Sequence, residues 1–488
     1  MENELTTTSQ YQEIKKRSVS AVVALMTRTF AIQVISFVAT LLLTYYLEPA
    51  IYGVFYLVSS VVNFLAYFSD IGLAAALIQK HDTVTKEDLA TTFTIQQLLV
   101  LLALIILFTM SPFIQRQYGI SQDGINLLYA MGISFFLSSL KTIPSIMLER
   151  EIKFNKLIVP QILETLVFNF IAVYFAWRGF GINSFSFAVL GRGIVGLLAV
   201  YFVYPWKPIL GIYKNSLKSL LKFGLPYQAN TFLALLKDDG MTILLTKIIG
   251  TAGLGYIGWA SKWAGLPLRI VMDNLSKVSF PTFSRLQNDK EKLARAVEIN
   301  LKYTFLAIFP LLVLMGFIAK PLAIQIPRYQ KWLPAILPLY LYLYNSAWAS
   351  ISTSLTNLLN ATGKIKITFK LMLMWTGLTW TIMPLFALKF GYLGVAYATA
   401  IIATSSIITV IMAKKVISLN LFSALKAPLL SSLIMSLFLF LTFSFFPNIV
   451  GIFILGAISI SVYLFSVLFF EGKQFFQNTF NYFKLKHA

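Results

Sequence analysis

The stretch ALLKDDGMTILL, residues 234–245, sets Lys237, Asp238, Asp239 and Gly240 inside an apolar run that extends from Phe223 to Gly250. About 20 apolar residues are needed to cross a bilayer as a helix. Residues 223–236 and 241–250 are each too short, so the two pieces form one crossing with charge near its centre. A charged residue there costs about 2.5–3.5 kcal/mol on insertion scales, and such residues line water or pair with one another. Gly240 makes a break in the helix cheaper, and a broken helix at the midplane is how transporters build binding sites. A Lys–Asp pair neutralising itself for packing is the competing reading.

The surroundings of this run have the same character. Of 488 residues, 58% are hydrophobic and only 12% charged, and mean hydropathy is +0.76. Soluble domains carry about 25% charged residues. Fourteen apolar runs are legible, at 19–46, 52–78, 89–111, 124–148, 157–177, 184–206, 223–250, 252–284, 299–319, 333–361, 367–388, 391–413, 427–446 and 449–470. They are continuous rather than alternating, which disfavours a β-barrel. The expectation is an all-α polytopic membrane protein of about 14 transmembrane helices. The eighth run is long for one span, so its C-terminal part is expected to project beyond the bilayer.

Net charge is +21. In a soluble protein that excess would suggest nucleic acid; here it follows the loops. Alternate connections and the two termini hold 25 Lys and Arg residues, and the opposite set holds 6. The positive-inside bias then places both termini in the cytoplasm, and no nucleic-acid partner is expected. Residues 1–14 are polar and the first apolar run is too long for a cleavable signal, so none is expected. No connection exceeds about twenty residues, too short for a folded extramembrane domain.

Three pairs of segments recur at nearly constant offset. GFGINSFSFAVLG (179–191) resembles KFGYLGVAYATAI (389–401), TKEDLATTF (85–93) echoes DKEKLARAV (289–297), and YGVF (52–55) has a counterpart in LGYIG (254–258). Six helices per repeat keep both halves in one orientation, related by an axis along the membrane normal. The expected organisation is an N-lobe at 1–206, a basic amphipathic cytoplasmic linker at 207–222, a C-lobe at 223–413, and two further helices with a tail at 414–488. Two such lobes would enclose a cavity near the midplane and work by alternating access.

Further charges stand inside the runs: Arg28 in the first, Asp70 in the second, Lys141 in the fourth, Glu164 in the fifth and Arg192 in the sixth. The eighth carries Lys262, Arg269, Asp273 and Lys277. At about 100° per residue these four share one face, which cannot point at lipid. Trp259 and Trp263 lie near the same stripe; flat aromatic faces suit sugar rings, and an interfacial belt is the alternative. Glu164 reads as a partner for a basic residue. The basic excess suits an anionic substrate, bound by Arg28, Lys141, Arg192, Lys237, Lys262, Arg269 and Lys277. Asp70, Asp238, Asp239 and Asp273 are candidates for ion coupling.

Enzyme chemistry finds no foothold. There is no Cys, and the two His, His81 and His487, stand outside the apolar runs. No phosphate-binding loop, metal-ligand spacing or nucleophile–base pair is legible. No cofactor is expected, and energy would come from a gradient of H+ or Na+ or from removal of the product.

Several motifs together resemble the polysaccharide transporter family of the multidrug/oligosaccharidyl-lipid/polysaccharide superfamily. They include LEPAIYGVF (47–55), FSDIGLAAALIQ (68–79), TKEDLATTF (85–93), LEREIKFNKL (148–157), LLKFGLPYQANTF (220–232), GLGYIGWASKWAGLPLRI (253–270) and VSFPTFSRLQNDKEKL (278–293), and the resemblance covers about 20–415. It implies a two-lobed bundle of twelve core helices plus two, with a cationic lumen, in the bacterial plasma membrane. Such proteins move a polyprenyl-diphosphate-linked oligosaccharide from the cytoplasmic to the outer leaflet, as for O-antigen, colanic acid or teichuronic acid. Implied partners are that lipid-linked glycan, membrane lipids, and a polysaccharide polymerase and chain-length regulator. Relatives often carry an acid six positions before the base that corresponds to Lys247; Met241 stands there, with Asp239 two residues earlier. An ion-coupled multidrug exporter of the same superfamily and a non-transporting scaffold for polysaccharide assembly are the alternatives.

Overall fold

The computed structural model describes residues 32–80, 82–151 and 153–472. Arg28 and the first Lys/Arg cluster, His81, and the Lys residues of the tail therefore lie outside the described residues. Within them the chain is all-helical, with no strand. The helices are α1 (Ile32–Tyr46), α2 (Pro49–Asp70), α3 (Leu73–Gln79), α4 (Lys86–Tyr118), α5 (Gln122–Leu140), α6 (Thr142–Arg150), α7 (Phe154–Trp177), α8 (Asn183–Val203), α9 (Lys214–Leu235), α10 (Met241–Leu286), α11 (Lys290–Gln325), α12 (Ile336–Ala361), α13 (Ile365–Thr404), α14 (Ile407–Lys414), α15 (Leu421–Thr442) and α16 (Ile449–Glu471).

Among the described residues, ten helical segments are long and apolar enough to cross a membrane. Two of the ten, Thr231–Leu286 with 56 residues and Ile365–Lys414 with 50, are each more than twice the length of one crossing. Both contain a break. Gly250 has φ 72° and ψ 172° inside α10, and Gly391 has φ 60° and ψ −143° inside α13. Glycine carries such a backbone without the Cβ penalty.

Local sequence explains where the helices begin. Thr85 accepts from the Asp88 amide (3.2 Å) while the Asp88 carboxylate accepts from the Thr85 amide (3.0 Å), a reciprocal cap at the start of α4. Asp289 caps α11 by accepting from the Lys292 amide at 3.0 Å. The TKEDLATTF and DKEKLARAV segments are thus helix starts with matched capping chemistry. Likewise Gly181 (φ 55°) and Gly391 (φ 60°), 210 residues apart, both take positive φ at matching points of the first repeated pair.

Packing forms two compact units, residues 1–255 and 256–488. In the first, α7 and α8 form a hairpin, α8 packs on α5, and α2 packs on α4 and α5. A cluster of Leu73, Ala76, Leu77, Phe93, Ile143, Ile146 and Leu220 joins α3, α4, α6 and α9. In the second, α11 packs against α12 and α15, α15 against α16, and α12 against α13. There Tyr463 is 1% exposed and donates to the Leu306 carbonyl at 3.2 Å, and Lys302 pairs with Glu471 at 2.8 Å.

The first unit extends past residue 206, where the sequence suggests a lobe boundary, because α9 and the start of α10 pack along α2. A Cβ on Gly53 would overlap the Thr251 carbonyl, and one on Gly255 would overlap the Pro49 carbonyl. Pro49 and Thr251, and Gly53 and Gly255, are both 202 apart. The contact is therefore reciprocal between repeated segments, as a two-fold relation requires. Nearer the other end of α2, Tyr67 donates to the Gln228 carbonyl, Gln228 Nε2 donates to the Tyr67 carbonyl at 2.5 Å, and Gly72 abuts Gly224.

Three local expectations change. The second apolar run is not one helix: Ile71 (φ 44°) and Gly72 (φ 78°) turn the chain left-handed between α2 and α3. The linker is helical only from Lys214; residues 205–213 are irregular, their amides at Gly211 and Tyr213 donating to Thr94 (2.9 Å) and Thr91 (3.0 Å). Gly240 is not a break. Leu236–Gly240 is a π-helical turn that carries α9 into α10.

Candidate functional site

The π turn widens the helix by one residue per turn, a local distortion often found at functional sites. Here it sets the three charges of the opening stretch side by side. Lys237 pairs with its neighbour Asp238, whose side chain is 66% exposed. Asp239 turns instead toward α2, where Asn63 Nδ2 approaches its carboxylate at 3.5 Å. The self-neutralising pair and the polar reach to another helix therefore coexist, on different carboxylates.

On α10, Lys262, Arg269, Asp273 and Lys277 are all exposed. No ion pair within 4 Å involves any of them among the described residues, although three of the four are cations. Other side chains of the same helix are firmly held. Ser346 Oγ of α12 donates to the Ala264 carbonyl at 2.8 Å, and Asn357 Nδ2 donates to Ser276 Oγ at 2.9 Å. Ala260, Ala264, Met272 and Phe283 are buried. Ala260 and Ala264 lie opposite the row, and the contacts of Ala264 and Ser276 with α12 fix its orientation.

The two tryptophans divide. Trp259 is 6% exposed and stacks on the fully buried Trp332, with centroids 5.4 Å apart and planes at 17°. That removes its face from any sugar and makes it packing. Trp263 meets Trp259 at 6.3 Å and 63° and is only half-buried, so Trp259 and Trp332 act as its support.

Lys141 and Arg192 come together on a carboxylate. Both pair with Glu164, the first closely and the second at 3.6 Å. Asp70 stands apart from all of these: it accepts from the Ala74 amide at 3.1 Å and so caps α3. Arg150, read from the sequence only as part of the positive loops, also serves α3. It donates to the carbonyls of Leu77 (2.7 Å), Lys80 (2.6 Å) and Asp82 (2.6 Å). Its partners are backbone atoms, which leave no mark on side-chain spacing. Among the described residues no group of three or more His, Cys, Asp or Glu is arranged for a metal.

Solved structures share this multi-pass helical fold. The fold matches that of "Lipid II flippase MurJ, inward closed conformation" with a TM-score of 0.75, at 19% identity over 91% of this chain and 98% of that one. It also matches an inward-facing multidrug resistance MATE family transporter of the MOP superfamily, with a TM-score of 0.62 at 16% identity over 79% and 95% of the two chains. At such identities the likeness is one of fold. Residues 42–337 match the family described as "Polysaccharide biosynthesis protein", and the chain belongs to that family.

Curated relatives agree with the family. The chain is 24% identical over 306 residues to the succinoglycan biosynthesis transport protein ExoT of Rhizobium meliloti, covering 62% of this chain and 61% of that protein. It is 23% identical over 270 residues to the teichuronic acid biosynthesis protein TuaB of Bacillus subtilis, covering 55% of each. The matches thus span between half and two thirds of the relatives' length.

Proposed function

We propose that the chain is a flippase that carries a polyprenyl-diphosphate-linked oligosaccharide across the bacterial plasma membrane for surface polysaccharide synthesis. The observation that carries the reading is the α10 row, three cations and one acid on an exposed face with no ion-pair partner among the described residues. A cation inside a membrane protein needs a counter-charge or water, and a diphosphate supplies the counter-charge. Arg269 offers a planar fork matched to two phosphoryl oxygens, while Lys262 and Lys277 act as mobile point charges. Trp263, backed by Trp259 and Trp332, presents a ring edge and face to the adjoining sugar.

The reaction makes and breaks no bond, so the chain needs binding and release rather than catalysis. In this reading it crosses the membrane fourteen times with both termini cytoplasmic, works by alternating access, and draws on an H+ or Na+ gradient through Asp239, Asp238 or Asp273. Asp70, committed to the α3 cap, is set aside. The names of the relatives, concerned with succinoglycan and teichuronic acid, favour a glycan cargo over a drug, and a polymerase and chain-length regulator would receive it.

The test is substitution of the row. Arg269→Ala and Lys262→Ala should each lower surface polysaccharide by roughly tenfold or more, the loss of one charge-assisted hydrogen bond, with unchanged protein in the membrane fraction. Normal polysaccharide in both variants would remove the row from the mechanism.

A further inference from the structure

The carboxylate between Lys141 and Arg192 is unequally shared. Lys141 stands at the joint where α5 ends and α6 begins, and its ammonium donates directly to Glu164 of α7. Arg192 of α8 reaches the other carboxylate oxygen only at 3.6 Å, longer than a hydrogen bond. The Glu164 side chain is 10% exposed, Lys141 17% and Arg192 56%. Gly196, one helical turn from Arg192, makes the room: a Cβ there would overlap the Glu164 carboxylate.

Arg192 lies beside the exposed apolar face of α8 rather than within it. The exposed apolar side chains of α8 are Phe187, Ile194, Leu198 and Phe202. At about 100° per residue they lie roughly 80–160° around the helix from Arg192. The guanidinium therefore leaves the helix to one side of that apolar face. Two cations share one anion, so the cluster carries a net positive charge whose accessible part is Arg192.

We infer that Lys141, Glu164 and Arg192 form a second phosphoryl-anion site, in the first unit, in which Glu164 is an internal competitor for the ligand. With the site empty, Glu164 partly balances Arg192. An arriving diphosphate takes over the longer, weaker Arg192 contact, while Lys141 stays on Glu164 and keeps that buried carboxylate paired. Glu164 is a positioning residue here, acting through Arg192 and never touching the cargo. The inference rests on the flippase reading and deepens it.

Calorimetric titration of the full chain in lipid nanodiscs with inorganic pyrophosphate tests this. Glu164→Gln should raise affinity roughly three- to tenfold by freeing Arg192, the scale of one hydrogen bond to a charged group. Arg192→Ala should lower affinity by about as much and should abolish the effect of Glu164→Gln in the double variant. Glu164→Asp keeps a charge opposite Lys141 and shortens the reach to Arg192, so it should raise affinity by roughly twofold even where the Gln variant does not purify. A gain in affinity is something a merely damaged structure does not produce. Unchanged or weakened binding in the Glu164 variants, with Lys262→Ala and Arg269→Ala still weakening it, would overturn this inference and leave the flippase reading standing. Absence of pyrophosphate binding by the unaltered protein would overturn both.

Discussion

At the scale of single residues, the charges inside the helices were legible but their partners were not. Composition alone marks Lys141, Glu164 and Arg192 as misplaced in an apolar run, and Glu164 reads correctly as a partner for a base. Which base it meets depends on how α5, α7 and α8 pack, and no spacing along the chain encodes that. Gly196 carries the most compact signal of this packing. It lies in an otherwise ordinary apolar helix, and its hydrogen marks where the Glu164 carboxylate passes. Gly196→Leu should therefore force the Lys141–Glu164 pair apart and destabilise the protein by about 1–3 kcal/mol, as overpacking does. Thermal unfolding in detergent is the measurement; an unshifted midpoint would show that the pair has room to move. Trp259 teaches the converse lesson, since its periodicity fits a sugar platform and only the tertiary contact with Trp332 reveals it as packing.

At the scale of elements, the apolar runs predict helices well, because about 20 continuous apolar residues have few other solutions in a bilayer. The fine structure was hidden. The π turn at Leu236–Gly240 replaces the expected break, since one extra residue in a helix leaves no mark in hydropathy. The short α3 is the clearest case: Asp70 holds its start and Arg150 its end, through backbone atoms. Helix C-termini expose orphan carbonyls, and a guanidinium satisfies several at once. Arg150→Ala should lower stability by about 1.5–3 kcal/mol. Arg150→Lys should recover less than half of that, because an ammonium lacks the fork that bridges Leu77, Lys80 and Asp82. Equal midpoints for Lys and Arg at this position would mean that charge alone matters there.

At the scale of the whole molecule, repetition was the most informative sequence signal. The YGVF and LGYIG segments are matched in sequence and touch each other's neighbourhoods reciprocally in the structure, Gly53 against Thr251 and Gly255 against Pro49. The other repeated pairs correspond to helix caps and to positive-φ glycines, positions where the backbone itself calls for those residue types. Family membership and a shared fold with a lipid II flippase set the context; in the proposed function the unpaired α10 cations supply the chemical mechanism. The most direct test reconstitutes the purified full chain in proteoliposomes with a polyprenyl-diphosphate-linked oligosaccharide and follows the glycan's arrival in the opposite leaflet. The account predicts translocation by the unaltered protein and loss of roughly tenfold or more of the rate in Arg269→Ala. Translocation no faster than in protein-free vesicles, or equal rates for the two proteins, would contradict it.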